Sequence, residues 1–300
     1  MTQAKPFQQS SHRRRVWRGM LKQLRRPGVA IAMAVVVLLV AMSLFPGLFT
    51  AHDPNTQSIL LRLKGPMFED RSGALHILGT DQLGRDIWAR IVYGARTTLI
   101  VSIGAVLVSA SLGICLGLIG GYVGGITDAV ILRLVDMQLA FPVILLVIGV
   151  VSITGQSLVA LIVLMGLASW PTFARIIRSE VLILRDREFI EAARSIGATQ
   201  SRILLRHVAP NVLSAVMVVA TFELSTMILI EATLSFLGVG VQPPTPTWGG
   251  MISEGQRYLS QAWTVSLFPG LAISITILAI NTLGDELRDL LDPRLARTEQ

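Results

Sequence analysis

The sequence of 300 residues is poor in cysteine, lysine and charge, with only 15% of its residues charged. Its one cysteine, Cys115, excludes a scaffold held together by intramolecular disulfides. The only lysines are Lys5, Lys22 and Lys64, and none stands in the Gly-Lys-Ser/Thr setting with which a Walker A loop binds phosphates. The chain is therefore not predicted to hydrolyse ATP by itself.

Metal-binding and catalytic motifs are also scarce. Histidine occurs only as His12, His52, His76 and His207, and no His-Glu-x-x-His pattern is present. Because zinc sites commonly draw on closely spaced ligands, histidines this scattered predict no metal site. The sequence likewise predicts no catalytic residue and no cofactor bound by this chain.

Apolar residues, in contrast, are abundant: 52% of the chain is hydrophobic and its mean hydropathy is +0.63. A helix needs about 20 apolar residues to cross the hydrocarbon core of a bilayer, and no stretch alternates as a membrane β-strand would. The sequence therefore predicts an all-α, polytopic membrane protein. Its six transmembrane helices are expected at 28–49, 97–118, 127–153, 158–169, 212–237 and 265–283. The first is too long for the apolar part of a signal peptide, and no cleavage site follows it.

Lysine and arginine predict the orientation, because cytoplasmic segments retain an excess of them. With the amino terminus inside, the inner segments hold 18 of these residues and the outer loops hold six. Both termini are therefore predicted to be cytoplasmic. The expected division is a basic tail (1–27), a first transmembrane helix (28–49), an extracytoplasmic loop (50–94), a five-helix core (95–284) with an inner loop at 170–211 and an outer loop at 238–264, and a cytoplasmic C-terminal tail (285–300).

The formal charge of +7 is concentrated at the amino terminus, where residues 1–27 hold eight basic residues and no acid. The rest of the chain is nearly neutral. Because the charge sits beside an apolar helix, membrane lipid is the expected partner and nucleic acid is not. Trp17, Met20, Leu21 and Leu24 fall on one helical face, which favours an amphipathic helix on the membrane surface. A solvated topology signal is the alternative.

Glycine recurs at every fourth position along the second predicted helix, as Gly113, Gly117, Gly121 and Gly125. Such a ladder lets another helix approach closely. Packing within the chain and contact between subunits both explain it.

Among the ionisable residues inside the predicted spans, two pairs are candidates for a role in the membrane. Arg133 and Asp136, three apart near the cytoplasmic end of the third span, are expected to form a self-neutralising pair, with a functional role as the alternative. Pro142 should kink the same helix. Glu223 and Glu231 have no visible histidine or lysine partner, which raises proton coupling as an alternative mechanism.

The inner loop contains a helix, a turn and a second helix. The first helix places Phe189, Ile190, Ala193 and Ile196 on its apolar side, and Gly197 is positioned to cap it in a left-handed conformation. Thr199 begins the second helix and Pro210 is expected to end it before the fifth span. The device either transmits force from a soluble partner or is a solvated connection.

At these residues the sequence resembles the EAA loop of ABC importer permeases. Glu191, Ala192 and Ala193 are followed by Gly197 and, thirteen residues later, by Pro210. The sequence departs from the general pattern at His207, where the family has Ile, and at Ala209, where it has Leu.

Three longer stretches narrow the resemblance to the C-type permease subunit of dipeptide, oligopeptide and nickel importers. They are Gly79 to Asp86, Glu231 to Gly249, and Gly284 to Pro293. The likeness covers nearly the whole chain and implies a type I ABC importer permease fold in the bacterial plasma (inner) membrane. It implies four kinds of partner: a second, homologous permease subunit, two cytoplasmic ATPases that use ATP and Mg²⁺, an extracytoplasmic substrate-binding protein, and membrane lipid. Peptides, glutathione, opines and metal chelates all remain open as cargo.

The resemblance also implies roles for particular residues. The segment from 188 to 197 resembles the coupling helix that docks in a groove of an ATPase. The residues assigned to this coupling are Glu188, Glu191, Ala192, Ala193, Arg194, Gly197, Arg202 and Pro210. Ordinary capping and surface charge are the alternative explanation.

On the outer side, Thr80 or Asp81 is expected to cap a helix leading into the second span. Contact of Asp81, Arg85 and Asp86 with the binding protein is an equal alternative. The proline-rich segment with Pro243 and Pro244, ending at Trp248, is predicted to form an outer gate or docking ledge. A membrane anchor is the alternative role for Trp248.

Two other classes of function compete with the importer. A secondary transporter using Glu223 or Glu231 would transport by this chain alone, driven by a pH gradient. A membrane scaffold would recruit a soluble protein through the inner loop without transport.

Overall fold

The structure is a computed structural model that describes residues 26–291. The predicted amphipathic tail helix and the end of the C-terminal tail lie outside the described residues. The helices, labelled in chain order, are α1 (Pro27–Leu44), α2 (Ile87–Val123), α3 (Gly125–Leu139), α4 (Val143–Thr154), α5 (Leu158–Arg185), α6 (Glu188–Ser195), α7 (Gln200–Ile203), α8 (Ala209–Phe236), α9 (Trp248–Gly255) and α10 (Thr264–Leu291).

Two short strands, β1 (Phe68–Glu69) and β2 (Leu75–His76), form an antiparallel hairpin in the long segment between α1 and α2. The turn between them is organised by Asp70, whose Oδ1 accepts hydrogen bonds from the backbone of Ser72 (2.7 Å) and Ala74 (3.0 Å). A hydrogen bond from the Ser72 hydroxyl and these backbone bonds lower the pKa of Asp70.

Five helical tracts in the described part of the chain are long and apolar enough to cross a membrane: α1, α2, α5, the continuous tract Gln200–Phe236, and α10. Helices α3 and α4 meet at an angle of 82°. Together they make a sixth span if this bent pair is counted as one. The predicted kink at Pro142 is therefore present as a complete break. Pro142 caps α4 with its backbone in an extended conformation, so the helix stops and restarts there.

The fourth span is longer than predicted. It was expected to end at residue 169, but α5 continues through Pro171 to Arg185. The prediction relied on an unbroken apolar run, whereas the helix is held by one buried face that includes Phe173, Ile177 and Val181. The first sixteen residues of the inner loop predicted at 170–211 are therefore helical.

Pro210 does not end a helix, contrary to the prediction. A π-helical turn at Leu204–Val208 joins α7 to α8, and the tract from Gln200 to Phe236 is continuous through the proline. A proline clashes with the carbonyl four residues before it in a regular helix. The wider π-helical turn immediately before Pro210 makes room for it.

Three other boundaries differ from the prediction. Helix α1 ends at Leu44, α2 begins at Ile87 inside the loop predicted at 50–94, and α10 runs to Leu291, past the boundary at 284. Hydropathy windows miss the start of α2 because a charged residue, Arg90, is buried there against protein.

The glycine ladder packs within the chain. A Cβ on Gly113 would lie 2.5 Å from Phe173 Cβ, one on Gly117 would lie 2.8 Å from the Ala174 carbonyl oxygen, and one on Gly121 would lie 2.9 Å from Val181 Cβ. Since α2 and α5 run parallel and touch backbone to backbone, the ladder belongs to an internal contact. Gly125 has no neighbour within 4 Å of such a Cβ.

The molecule has two ends. The loop end carries residues 45–86 and 237–263, and the EAA end carries residues 186–210. Arg26 Nη1 lies 3.7 Å from Glu286 Oε2, so the two ends of the described chain lie close together. The successive directions of the helices place this contact at the EAA end.

Candidate functional site

Helix α6 is anchored to the EAA end by two side chains. Ile190 is fully buried and Ala193 is 5% exposed, and both belong to a cluster with Ile177 and Val181 of α5 and Ile203 of α7. Tyr122, near the end of α2, donates a hydrogen bond to Gln200 Oε1 at 2.5 Å. The short helix therefore contacts the ends of three membrane-spanning tracts through one compact cluster.

Gly197 ends α6 in the predicted left-handed conformation, with φ +79°. The backbone N–H of Gly197 donates to the Arg194 carbonyl (2.9 Å), and that of Ala198 donates to the Ala193 carbonyl (3.1 Å). This pair of bonds is a Schellman motif. The predicted cap is confirmed, and Thr199 stands at the start of α7 as expected.

The outer face of α6 is exposed and partly apolar. Phe189 is 44% and Ile196 is 85% exposed, so only Ile190 and Ala193 of the predicted apolar side are packed against the rest of the molecule. Seven of the eight residues assigned to coupling are also exposed: Glu188, Glu191, Ala192, Arg194, Gly197, Arg202 and Pro210. Phe189 and Ile196 border a groove of about 560 Å³ together with Arg202, Arg206 and His207. Apolar residues ringed by charges are typical of a protein contact surface.

A buried charge network lies at the loop end. Asp81 Oδ2 accepts from Arg85 Nε (2.6 Å) and Arg90 Nη1 (2.7 Å), and its Oδ1 accepts from the backbone of Leu83 and Arg85. Glu254 of α9 accepts hydrogen bonds from Arg85 Nη2 at 2.5 Å and from Arg90 Nη1 at 2.8 Å. The network joins the long loop, α2 and α9.

Opposing effects act on the carboxyl group of Glu254. Burial by itself raises its pKa. The opposite effect is larger and comes from the hydrogen bond and charge of Arg90, the charge of Arg85, and a hydrogen bond from Gln82. The net result is a pKa below the ordinary glutamate value.

The predicted helix cap at the loop end is displaced. Helix α2 begins at Ile87, and its cap is Asp86, whose Oδ1 accepts from the Ala89 N–H at 2.6 Å. Thr80 instead secures the loop, since its hydroxyl contacts the Leu61 carbonyl and accepts from the Lys64 N–H. Asp81 is committed to the charge network, so neither predicted cap residue serves that role.

Trp248 does not form an outer gate, a docking contact or a lipid anchor in this structure. It is 2% exposed, and its Nε1 donates to the Ile91 carbonyl at 3.0 Å. The prediction for Trp248 is wrong because the tryptophan packs into the core between α2 and α9 instead of reaching solvent. Pro243 and Pro244 are exposed, as a docking ledge requires.

The predicted pair of Arg133 and Asp136 does not form. Asp136 Oδ1 accepts from Arg175 Nη2 of α5 at 2.7 Å, and both partners are about half exposed. Arg133 is exposed and has no acidic partner within 4 Å among residues 26–291. Spacing along one helix predicted an internal pair, but the neighbouring helix supplies the closer cation. Asp128 and Arg178 form a second bridge of this kind, with Nη2 and Oδ2 2.6 Å apart.

Glu223 and Glu231 are both buried in α8. Glu231 accepts hydrogen bonds from Thr98 (3.2 Å) and Ser235 (2.7 Å), so it is integrated into the packing of α2 against α8. Glu223 Oε2 has no hydrogen-bond partner in the part of the chain that the structure describes. No histidine or lysine pairs with either carboxyl group within residues 26–291.

Several residues of these sites carry no signal in the sequence. Arg90 and Glu254 complete the loop-end network, although they are 164 residues apart. His52 and His76, considered too scattered for a metal site, come together beside Asp86. In each group the partners come from separate segments, so spacing in the sequence gives no signal.

Comparison with known proteins decides the family. The model of the binding-protein-dependent transport system inner membrane component matches residues 113–297. The dipeptide transport system permease protein DppC of Alkalihalophilus pseudofirmus is 42% identical over 281 residues, which cover 93% of this chain and 90% of the relative. The chain belongs to this family of transport permeases.

Other relatives agree with that assignment. The glutathione transport system permease protein GsiD of Escherichia coli O6:K15:H31 is 40% identical over 294 residues, covering 97% of this chain and 95% of the relative. Among solved structures, a chain from an inward-facing conformation of the MetNI methionine ABC transporter superposes with a TM-score of 0.56 at 21% identity. The superposition covers 68% of this chain and 97% of the other, and it shows the type I importer permease fold.

The protein is thus a permease subunit of an ABC importer and an inner membrane component. This confirms the fold class and the family predicted from the EAA segment and the three longer stretches.

Proposed function

We propose that this permease forms half of a translocation pathway and couples it to ATP hydrolysis in partner subunits through α6. The observation that carries the proposal is the arrangement of α6: its inner face is anchored by Ile190 and Ala193, while Phe189 and Ile196 are exposed. Since an exposed apolar surface ringed by charge suits a protein partner, α6 is the natural docking point for an ATPase.

The packing supplies a route for movement. Ile190 shares a cluster with Ile177 and Val181 of α5, and the glycine ladder holds α5 tightly against α2. A displacement of α6 would therefore act on α5 and α2 together. Ile203 passes the same displacement to the tract that continues into α8. Closely packed interiors transmit such shifts because they do not deform continuously.

The proposed assembly contains a second, homologous permease subunit, two ATPases with ATP and Mg²⁺, and an extracytoplasmic binding protein. The excess of Lys and Arg in the inner segments supports an EAA end that faces the cytoplasm, with both termini there. The exposed Pro243 and Pro244 at the opposite end then form part of the surface offered to the binding protein. Glu188, Glu191, Arg194 and Arg202 are proposed as polar contacts to the ATPase.

Short peptides are the proposed cargo. Two of the relatives carry names that assign them to dipeptide and glutathione transport, and glutathione is itself a small peptide. The binding protein is expected to select among such solutes, and this chain to provide passage.

A matched pair of substitutions tests the coupling role. Ile196→Asp places a charge on the proposed docking surface, and Ile59→Asp makes the same change at an equally exposed site (87%) at the loop end. Both variants should fold, since surface substitutions usually change stability by about 0.5 kcal/mol or less. Copurification of the ATPases with the tagged permease should fall for Ile196→Asp only.

Substrate-stimulated ATP hydrolysis in the reconstituted complex gives the second readout. Normal ATPase recovery and turnover with Ile196→Asp would show that α6 is not the docking element. Uptake by the purified chain alone, driven by a pH gradient, would instead favour a secondary transporter. ATPase recruitment without ATP-dependent uptake would favour a scaffold.

A further inference from the structure

Two histidines and one carboxylate from separate segments meet at the loop end. His76 Nδ1 lies 2.8 Å from Asp86 Oδ2, and His52 Nδ1 lies 3.8 Å from the same oxygen. One ligand atom from each residue can be chosen so that all three lie within 4.8 Å of one another. We propose that His52, His76 and Asp86 bind a divalent transition-metal ion such as Zn²⁺.

The separations are compatible with a metal ion, and only the contact between His76 Nδ1 and Asp86 Oδ2, at 2.8 Å, is also a hydrogen-bond distance. With bonds of about 2.0–2.2 Å in a tetrahedral zinc site, neighbouring ligand atoms lie about 3.3 Å apart. The two nitrogen–oxygen distances, 2.8 Å and 3.8 Å, fall on either side of that value. The longer one exceeds a hydrogen bond, so hydrogen bonding to Asp86 does not explain the position of His52. A small rotation of the half-buried His52 side chain would equalise the two distances.

The ligands are held in place before any ion binds. Asp86 Oδ1 is engaged by the Ala89 N–H at 2.6 Å, which fixes the carboxylate and leaves Oδ2 directed at the histidines. His76 is buried between two rings, with centroid distances of 4.9 Å to His52 and 6.2 Å to Phe68. Contacts of this kind orient metal ligands and raise affinity.

The donor set defines the class of ion. Two imidazole nitrogens and one carboxylate oxygen suit zinc and neighbouring transition metals, whereas calcium and magnesium prefer oxygen alone. Three protein ligands leave a fourth position for water or another group. His52 borders a groove that also contains Asp53, Tyr93 and Pro244, so that position is accessible from the loop end.

The ion would fasten the chain that leaves α1 to the start of α2. That segment is already tied nearby, because Trp88 Nε1 donates to the Phe49 carbonyl at 2.8 Å. A metal linking His52 to Asp86 adds a second attachment three residues further along the chain, on the surface that faces outward in the proposed orientation.

The test uses the full-length permease in detergent, purified with a tag that contains no histidine. Zn²⁺ is the probe, and bound metal is measured after equilibrium dialysis against a competing chelator. The native chain should retain one Zn²⁺ per molecule. His52→Gln should weaken binding by about 100-fold, at the upper end of losses seen when a metal site is disturbed. His207→Gln, altered at the EAA end, is the matched control and should bind as the native chain does.

Thermal unfolding supplies a second readout. Zn²⁺ should raise the unfolding midpoint of the native chain and of His207→Gln, but not that of His52→Gln, because a ligand stabilises only the state that binds it. Absence of stoichiometric zinc in the native chain would overturn the proposal. Equal affinity in His52→Gln, or an equal loss in His207→Gln, would overturn it as well and leave a hydrogen-bonded cluster only.

Discussion

The two ends of this permease handle charge in opposite ways. At the loop end, Asp81, Arg85 and Arg90 are almost fully buried and paired with one another and with Glu254. At the EAA end, the charged residues of α6 are exposed, as are Phe189 and Ile196. One end pairs its buried charges with one another, and the other presents polar and apolar groups to the outside.

The difference separates residues that hold the fold from residues available to a partner. A buried charge that loses its partner is strongly destabilising, whereas an exposed one contributes little to stability. The motifs that resemble the family include residues that hold the fold and residues available to a partner. The Gly79 to Asp86 stretch is largely structural in this molecule, and the EAA stretch combines a buried anchor with an open surface.

The largest expected effect is at the loop end. Asp81→Ala leaves Arg85 and Arg90 with one carboxylate partner instead of two, and we expect a loss of about 3–5 kcal/mol in stability, as for a broken buried ion pair. Asp53→Ala removes an exposed carboxylate that only caps a local turn at Asn55 and serves as the control. The measurement is the unfolding midpoint in detergent. Equal midpoints for the two variants would show that the buried network contributes no more to stability than an exposed carboxylate does.

A smaller effect concerns acid stability. Because the pKa of Glu254 is lowered in the fold, its contribution is complete above its ordinary value near 4.5 and is lost as the pH falls through the lower folded value. Glu254→Gln should cost about 1.5 kcal/mol at neutral pH, typical of a hydrogen bond to a charged group.

The difference between native chain and variant should shrink as the pH is lowered. The exposed Glu69 allows the matched substitution Glu69→Gln. A difference that is constant from pH 7 to pH 3, or as large for Glu69→Gln, would contradict the assignment.

The smallest expected effect on stability compares two glycines that share a positive φ, although Gly155 has an extended ψ of 166°. Gly197 at the EAA end has φ +79° and Gly155 at the opposite end has φ +83°, and a Cβ on either has no neighbour within 4 Å. An alanine at either position should cost about 1 kcal/mol, at the lower end of the range for a residue held in a sparsely populated positive-φ region.

The two alanine variants should differ in transport function although their stabilities are similar. Only Gly197→Ala should reduce substrate-stimulated ATP turnover in the assembled complex, since only that glycine sets the angle between α6 and α7. If both variants lower turnover equally, the effect is one of general stability and α6 has no special role.

Local patterns in the sequence predicted local features well. The left-handed cap at Gly197 and the start of α7 at Thr199 are present because a helix end depends on a few adjacent residues. The break at Pro142 lies where proline disfavours a regular helix, although α5 continues through Pro171. The fold class and family followed from apolar runs and long motifs in register.

Predictions failed where a neighbour from elsewhere in the chain decided the outcome. Asp136 pairs with Arg175 across two helices instead of with Arg133. Trp248 is buried because α2 offers it a carbonyl acceptor at Ile91. Helix α5 continues beyond its apolar run, which ends at residue 169, because α2 covers one face of the helix. A hydropathy window averages over neighbouring residues in the sequence, so it does not detect contacts between distant segments.

The sequence by itself determined that this is a helical membrane permease of the ABC importer family, because apolar length and motif order are written along the chain. Only the tertiary structure decided which charges are buried together, which glycines touch a neighbouring helix, and which face of α6 is open. It also brought His52 and His76 to Asp86. Such contacts join residues tens to more than a hundred positions apart, and their geometry depends on how the helices pack against one another.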